Sequence, residues 1–172
     1  MKRRLGMLLI LCMGCGSSDP VGVVEPAPDA TGKMLSVAAS DFNAYLVDVS
    51  RTYQTVHLMN AEFGSITQGW SGGVVSRYWI RQFTSNLIAR LETLQVQVRN
   101  IRPDDGELRR IHDSYEHGLA TFHEAFVAFL GQIDFPTTEG IEGVNLLIFR
   151  GNQRMDEFQL LLSNLAGRQI QF

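Results

Sequence analysis

Cysteine is nearly absent from this chain of 172 residues: there are two, Cys12 and Cys15, both within the first fifteen positions. The rest of the chain therefore has no thiol for a disulfide or a thiolate metal cluster. The pair is spaced Cys-x-x-Cys, but a c-type haem site needs His directly afterwards and Gly16 follows. A thioredoxin-like pair would need a strand and a helix around it, which these residues do not offer. Positive charge is also scarce. Of 15 Lys and Arg, three are Lys2, Arg3 and Arg4; without that leading triplet twelve basic residues face 18 acidic ones, a net of −6. The twelve are scattered, so no basic face exists to release counterions from a nucleic acid. No stretch sustains period-two alternation between turn dipeptides, which excludes a substantial sheet. No nucleophile elbow, phosphate-cradling loop, zincin motif or acid pair stands in a recognisable frame.

What is present is an ordinary globular balance, with 45% apolar and 19% charged residues. That composition supports one domain with a hydrophobic core and argues against a mainly disordered chain.

The first residues read as an address. Lys2-Arg3-Arg4 precedes the apolar run Leu5 to Leu11, the basic and hydrophobic regions of an export signal. Even counted as about nine apolar residues, such a run reaches only about 14 Å as a helix, too short for a hydrocarbon layer of roughly 30 Å. Cys12-Met13-Gly14-Cys15 then leads into Gly16-Ser17-Ser18-Asp19-Pro20. This resembles the lipobox of bacterial lipoproteins, usually Leu, a small residue, Gly or Ala, then Cys. Gly14 and Cys15 match it, whereas Cys12 and Met13 depart from the usual Leu and small residue. The resemblance covers the first twenty residues. It implies that residues 1–14 are removed as a signal peptide, that the thiol of Cys15 carries a diacylglycerol, and that the new amine is often acylated too. Several buried acyl chains, at about 0.8 kcal/mol per methylene, make such an anchor effectively permanent. Ser17, and not Asp, two places after the cysteine implies an outer-membrane destination, facing the periplasm. Residues 15–32, with Pro20, Pro26 and Pro28, read as a flexible tether in which no helix interior fits.

From Lys33 the apolar positions fall at helical spacing. Leu35, Ala39, Phe42, Leu46, Val49, Tyr53, Val56, Asn60 and Phe63 mark a first helix, and Gly64 to Gly73 reads as a glycine-rich loop. Ile80, Phe83, Leu87, Leu91, Leu94, Val98 and Ile101 mark a second helix, stopped by Pro103 and Gly106. Leu108, Ile111, Tyr115, Leu119, Phe122, Phe126, Phe129 and Ile133 make the clearest stripe, with Asp104, Asp105 and Glu107 favouring the helix's positive end. After Phe135-Pro136, Thr137 or Thr138 is the expected N-cap of a fourth helix carrying Ile141, Val144, Ile148, Met155, Phe158, Leu162 and Leu165. Four such stripes joined by short links predict an all-α, antiparallel, up-down-up-down four-helix bundle over residues 33–168. Gln169 to Phe172 resembles the end of an outer-membrane barrel strand, but with no other strands a frayed helix end is expected.

Three groups of residues are candidate sites. Trp70, Tyr78 and Trp79 flank the glycine-rich segment, where mobile backbone and large aromatics often build recognition surfaces; Trp70 falls outside every helical stripe. His112, Glu116 and His123 lie four and seven apart on the third helix, one position beyond its stripe, and offer two imidazoles and a carboxylate to a metal or small ligand, with His57 a conceivable addition. A paired Glu-x-x-His di-iron pattern is missing, and a solvated polar flank explains the same residues. Arg77 and Arg81, and Arg99, Arg102, Arg109 and Arg110, suit an anionic partner or simply solvated helix ends. The reading favoured by the sequence is a lipid-anchored, non-catalytic envelope module that binds a protein partner and needs no cofactor. A metal- or ligand-binding bundle is the alternative, and an enzyme ranks third.

Overall fold

The computed structural model describes Val37 and residues 39–172. The leader, Cys15 and the tether therefore lie outside the described residues. Four helices follow: α1 (Ala39–Ser71), α2 (Arg77–Asn100), α3 (Gly106–Gln132) and α4 (Thr138–Ala166). They pack as the expected antiparallel bundle. One end, called the tip, holds the α1–α2 and α3–α4 links; the other, the base, holds the start of α1, the α2–α3 link and residues 167–172.

The helix ends are written in short polar side chains. Ser76 Oγ accepts from Trp79 N, Asp105 Oδ1 from Glu107 N and Leu108 N, and Thr137 Oγ1 from Gly140 N. Each satisfies amides that the first helical turn leaves without partners. Gly167, at φ 64°, closes α4 in the left-handed conformation that glycine adopts at no steric cost.

The predicted stripes fill the core, with Phe42, Phe122, Phe126, Phe129 and Phe158 among its largest buried side chains. Three positions differ from the sequence reading. Met59 is buried on α1 and Asn60 only half-buried, so the apolar side chain at the stripe's edge takes the core position and the polar amide beside it keeps contact with water. His112 is core, only 3% exposed. The segment Gly64 to Ser71 is helix and not loop. Ile66, Thr67 and Trp70 carry the α1 stripe two turns beyond Phe63, and the packing they gain outweighs the poor helix propensity of Gly64 and Gly69.

The helix pairs differ in how closely they approach. α3 and α4 approach closely where a side chain of one lies on a glycine of the other: a Cβ on Gly118 would stand 3.0 Å from Met155 Sδ, and one on Gly151 would stand 2.6 Å from the Phe122 ring. α1 and α4 meet by side chains far more than by backbone, with the Tyr53 and Phe158 rings 5.8 Å apart between them.

Candidate functional site

At the tip, the α1–α2 turn is tight. Gly69 O accepts from both Val74 N and Val75 N, Gly73 N donates to Trp70 O, and Gly73 takes φ 76°. Val75 tucks under the turn with its Cγ2 at 2.9 Å from where a Gly69 Cβ would be, so its neighbour Val74 is turned outward. On α2, burial of Ile80, Thr84 and Leu87 leaves Tyr78 on the opposite face, and Trp79 lies on the flank stacked over Phe83 at 5.6 Å. In the α3–α4 link Ile133 is buried, Asp134 forms an ion pair with Arg81 of α2, and Phe135 points to solvent. Gln132 Oε1 accepts from Thr137 N and pins this link.

The outcome is four large apolar side chains at one end: Val74 is 86% exposed, Tyr78 73%, Trp79 50% and Phe135 85%. Their free surface is on the order of 500 Å², the size of the largest apolar patch that soluble proteins usually keep, and such patches mark interaction sites. Val47, Leu58, Val96, Val127, Leu146, Phe149 and Leu160 are also exposed, spread over all four helices, and scattered apolar residues on a surface are ordinary.

Two of the three aromatics expected to form a recognition surface are therefore at the tip surface, and the third is not. Trp70 is half-buried on the last turn of α1, its ring edge-on to Phe129 at 5.6 Å and 90°. Continuation of α1 through the glycines gives it the core position that a loop would have denied. Val74 and Phe135 went unnoticed among the candidate residues. Phe135 was legible: a large aromatic off the α3 stripe, immediately before Pro136, has no helical face to join.

His112, Glu116 and His123 are divided by the packing. His112 Nε2 lies 3.0 Å from Val98 O, which can only accept, so that nitrogen carries the proton; Nδ1 then accepts from the Tyr45 hydroxyl at 3.0 Å. Glu116 Oε1 stands 3.5 Å from the same Nε2. Burial pushes the His112 imidazole below its ordinary pKa, against the opposing pull of Val98 O, Glu116 and Asp113. His123 turns away to Glu92 at 3.2 Å, and His57 leans on Tyr53 at 4.7 Å. Among the described residues, no group of three or more His, Cys, Asp or Glu is placed to hold a metal ion. The imidazole that was to lead the ligand set is instead an internal strut between α1, α2 and α3.

Of the arginines, Arg81 is tied to Asp134, and Arg109 donates to the Pro103 and Asp104 carbonyls at the α2–α3 link. Arg77, Arg99, Arg102 and Arg110 are exposed.

At the base, residues 167–172 are neither a strand nor a frayed helix. Ile170 is buried, and the Phe172 ring lies 4.6 Å from Tyr53 and 6.1 Å from Phe158. Alternation of apolar Ile170 and Phe172 with polar Gln169 and Gln171 was the available signal.

No known protein family matches this chain, and neither the curated proteins nor the solved structures supply a match. Among the described residues, no helix is long and apolar enough to cross a membrane.

Proposed function

We propose that this chain is a lipid-anchored, non-catalytic helical module of the bacterial envelope that binds a protein partner through the tip of its bundle. The observation that carries the binding half is the exposed group at the tip, Val74 and Phe135 on its two links and Tyr78 and Trp79 on the first turn of α2. Aromatics dominate protein interfaces because they bury much area at little conformational cost. The Arg81–Asp134 pair and the short, capped links hold the patch in one shape, which lowers the entropy lost on binding.

The anchoring half rests on the lipobox resemblance around Cys15. The two halves fit together by direction. α1 has 33 residues and is about 50 Å long, and it begins at the base, on the side from which the tether would arrive. A tether of about twenty residues spans roughly 25 Å as a coil, so an acyl chain on Cys15 keeps the base near the bilayer and presents the tip away from it. That geometry favours a protein partner over the anchoring membrane.

A photo-crosslinking amino acid placed at Tyr78 in the native envelope tests the reading, with exposed Glu124 on α3 as the control position. A discrete protein adduct from position 78 and none from position 124 is expected. Lipid adducts from position 78, or equal labelling from both positions, would remove the tip as a protein-binding surface. Separately, fatty-acid labelling should mark the wild-type chain and be lost in Cys15→Ser; persistence of the label would end the anchoring half and leave the tip untouched.

A further inference from the structure

The base of the bundle holds a second candidate binding site, and it is already occupied. Residues 168–172 leave α4 at Gly167 and turn back along the groove between α1 and α4. The groove recognises Ile170 by its backbone as well as its side chain. Ile170 N donates to Ser163 Oγ at 3.0 Å, and Gln159 Nε2 donates to Ile170 O at 2.7 Å. The orientation of the Gln159 amide is itself fixed, because its Oε1 accepts from the Tyr53 hydroxyl at 3.2 Å. Ser163 donates to Gln159 O, which leaves its lone pairs free for the Ile170 amide. These side chains treat Ile170 as a bound peptide residue is treated, with both main-chain groups met by fixed polar partners of the scaffold.

The side chains alternate as an extended ligand's would. Ile170 is 5% exposed, Phe172 lies on Tyr53 and Phe158, and Gln169 and Gln171 face water. Main-chain bonds with alternate side-chain pockets are the usual means of recognising an extended segment. The segment is also lightly held. The backbone bonds around its root, Gly167 N to Asn164 O and Arg168 N to Ser163 O, belong to the helix cap. Beyond them it joins no helix or strand, so it can leave without unzipping α4. An open recess of about 700 Å³ lies beside the strap, between the α4 face of Asp156, Leu160 and Asn164 and the strap's own Arg168 and Gln169.

We propose that the α1–α4 groove is a peptide site, held closed by the chain's own residues 168–172, that takes an extended apolar-polar-aromatic segment of a partner protein in their place. The attached strap acts as a competitor at an effective concentration in the millimolar range. A free peptide then binds weakly until the strap is disarmed. This site depends neither on acylation of Cys15 nor on the tip.

The test uses the full chain and a fluorescent peptide of sequence Arg-Gln-Ile-Gln-Phe, read by anisotropy. Ile170→Ser with Phe172→Ala disarms the strap and spares the Gly167 cap. This variant should bind the peptide at least tenfold more tightly than the wild type. Adding Gln159→Ala should return affinity toward the wild-type level, and a peptide ending in Ala should not bind. Equal binding by wild type and strap variant, or indifference to the final Phe, would overturn the proposal. Hydrogen exchange in the wild-type chain tests the opening itself and does not rely on a variant's fold. The Ile170 amide should exchange by local opening, well before the amide of Phe158; exchange of both only on global unfolding would mean the strap never leaves. A peptide-reversible dimer of the wild type would show that a second copy supplies the segment, and would overturn the assignment to a different partner.

Discussion

The two ends of this bundle solve opposite problems. At the tip the interior is plain hydrocarbon and ring: Phe63 packs on Phe126 at 4.6 Å and on Phe129 at 5.1 Å, and Trp70 closes over Phe129. The buried hydroxyls there, Thr67 and Thr84, donate back to carbonyls of their own helices. The polar cost of this interior is nil, while its exterior leaves Val74, Tyr78, Trp79 and Phe135 in water. At the base the exterior apolar groove is covered by residues 168–172, and the interior carries the polar load: Tyr45, His112, Tyr53 and Tyr115 among the aromatic rings. A dry, self-sufficient core at the tip can leave its outer surface uncovered because nothing inside depends on that surface. At the base the strap lies over Tyr53 and Phe158, beside the hydrogen bond from Tyr53 to Gln159, which gains from exclusion of water.

Phe122 stands midway between the ends, fully buried and pressed against Gly151. Phe122→Ala should cost about 3 to 5 kcal/mol, the largest effect expected of any single truncation here. Trp70→Ala should follow at about 2 kcal/mol, since a half-buried ring loses less packing. Tyr78→Ala, a few residues away but outside, should change stability by under about 0.5 kcal/mol. Chemical denaturation of the three variants checks the division of the tip into inside and outside. A Trp70→Ala loss no larger than that of Tyr78→Ala would place Trp70 back on the surface.

The glycines of α4 separate close approach from mere tolerance. At Gly151 a methyl would meet the Phe122 ring, which the core holds fast, so Gly151→Ala should destabilise by about 1 to 3 kcal/mol. At Gly143 a methyl meets nothing within 4 Å. Gly143→Ala should therefore stabilise by up to about 1 kcal/mol through helix propensity alone. Thermal melts of the pair give the sign directly, and a gain at both positions would mean that α3 and α4 are not held together at Gly151.

These contrasts show what the sequence made legible. Four amphipathic stripes, the Thr137 N-cap and the turn at Phe135-Pro136 follow from periodicity and local chemistry, and all appear in the fold; the caps Ser76 and Asp105 do so as well, though the sequence marked Asp105 only as favourable charge. The end of α1 did not follow, because Gly64, Gly69 and Gly72 read as a loop when counted locally, and only Phe129 on a distant helix makes Trp70 worth ordering. His112 was misplaced for a related reason. Periodicity assigns a polar residue at the stripe's edge to solvent, whereas Tyr45 and Val98, 67 and 14 residues away, supply the partners that make its burial tolerable. Of the tip surface, Tyr78 and Trp79 were legible from their neighbourhood. Val74 was not, since the choice between Val74 and Val75 depends on which one the turn tucks beneath Gly69.

The base should be the acid-sensitive end. In the folded chain burial lowers the His112 pKa below the ordinary value of about 6.5, and His57 is lowered in the same sense by burial, against Asp156. Between the folded and unfolded values the unfolded chain binds more protons, so stability falls as pH drops below about 6.5 and levels off once both states are charged. Protonation of His112 Nδ1 also removes the acceptor of the Tyr45 hydroxyl. Denaturant midpoints measured from pH 7.5 to 5 should decline. The decline should be shallower in His112→Gln, with the residue attributable to His57. Tyr45 and Tyr115, both raised by burial, stay neutral throughout that range. A flat profile in the wild type would mean that the imidazole sits in water.

A small gain is expected from one oxygen. The Tyr115 ring is fully buried, stacked on Phe158 at 4.8 Å and tilted against Tyr53 at 6.0 Å. Its hydroxyl completes no well-formed hydrogen bond among the described residues; its neighbour is the Thr52 hydroxyl, which gives its own proton to Val49 O and keeps its lone pairs as a poorly placed acceptor. A buried donor with only a poorly placed acceptor costs free energy that an aromatic of the same shape does not. Tyr115→Phe keeps the ring stacking and removes the orphan, so it should stabilise the chain by about 0.5 to 1 kcal/mol. At the tip, where every buried hydroxyl is satisfied within its own helix, Thr67→Val removes a satisfied group and should give no comparable gain. A loss on Tyr115→Phe would show that this hydroxyl is bonded in solution and that the base, like the tip, carries no unmet polar group.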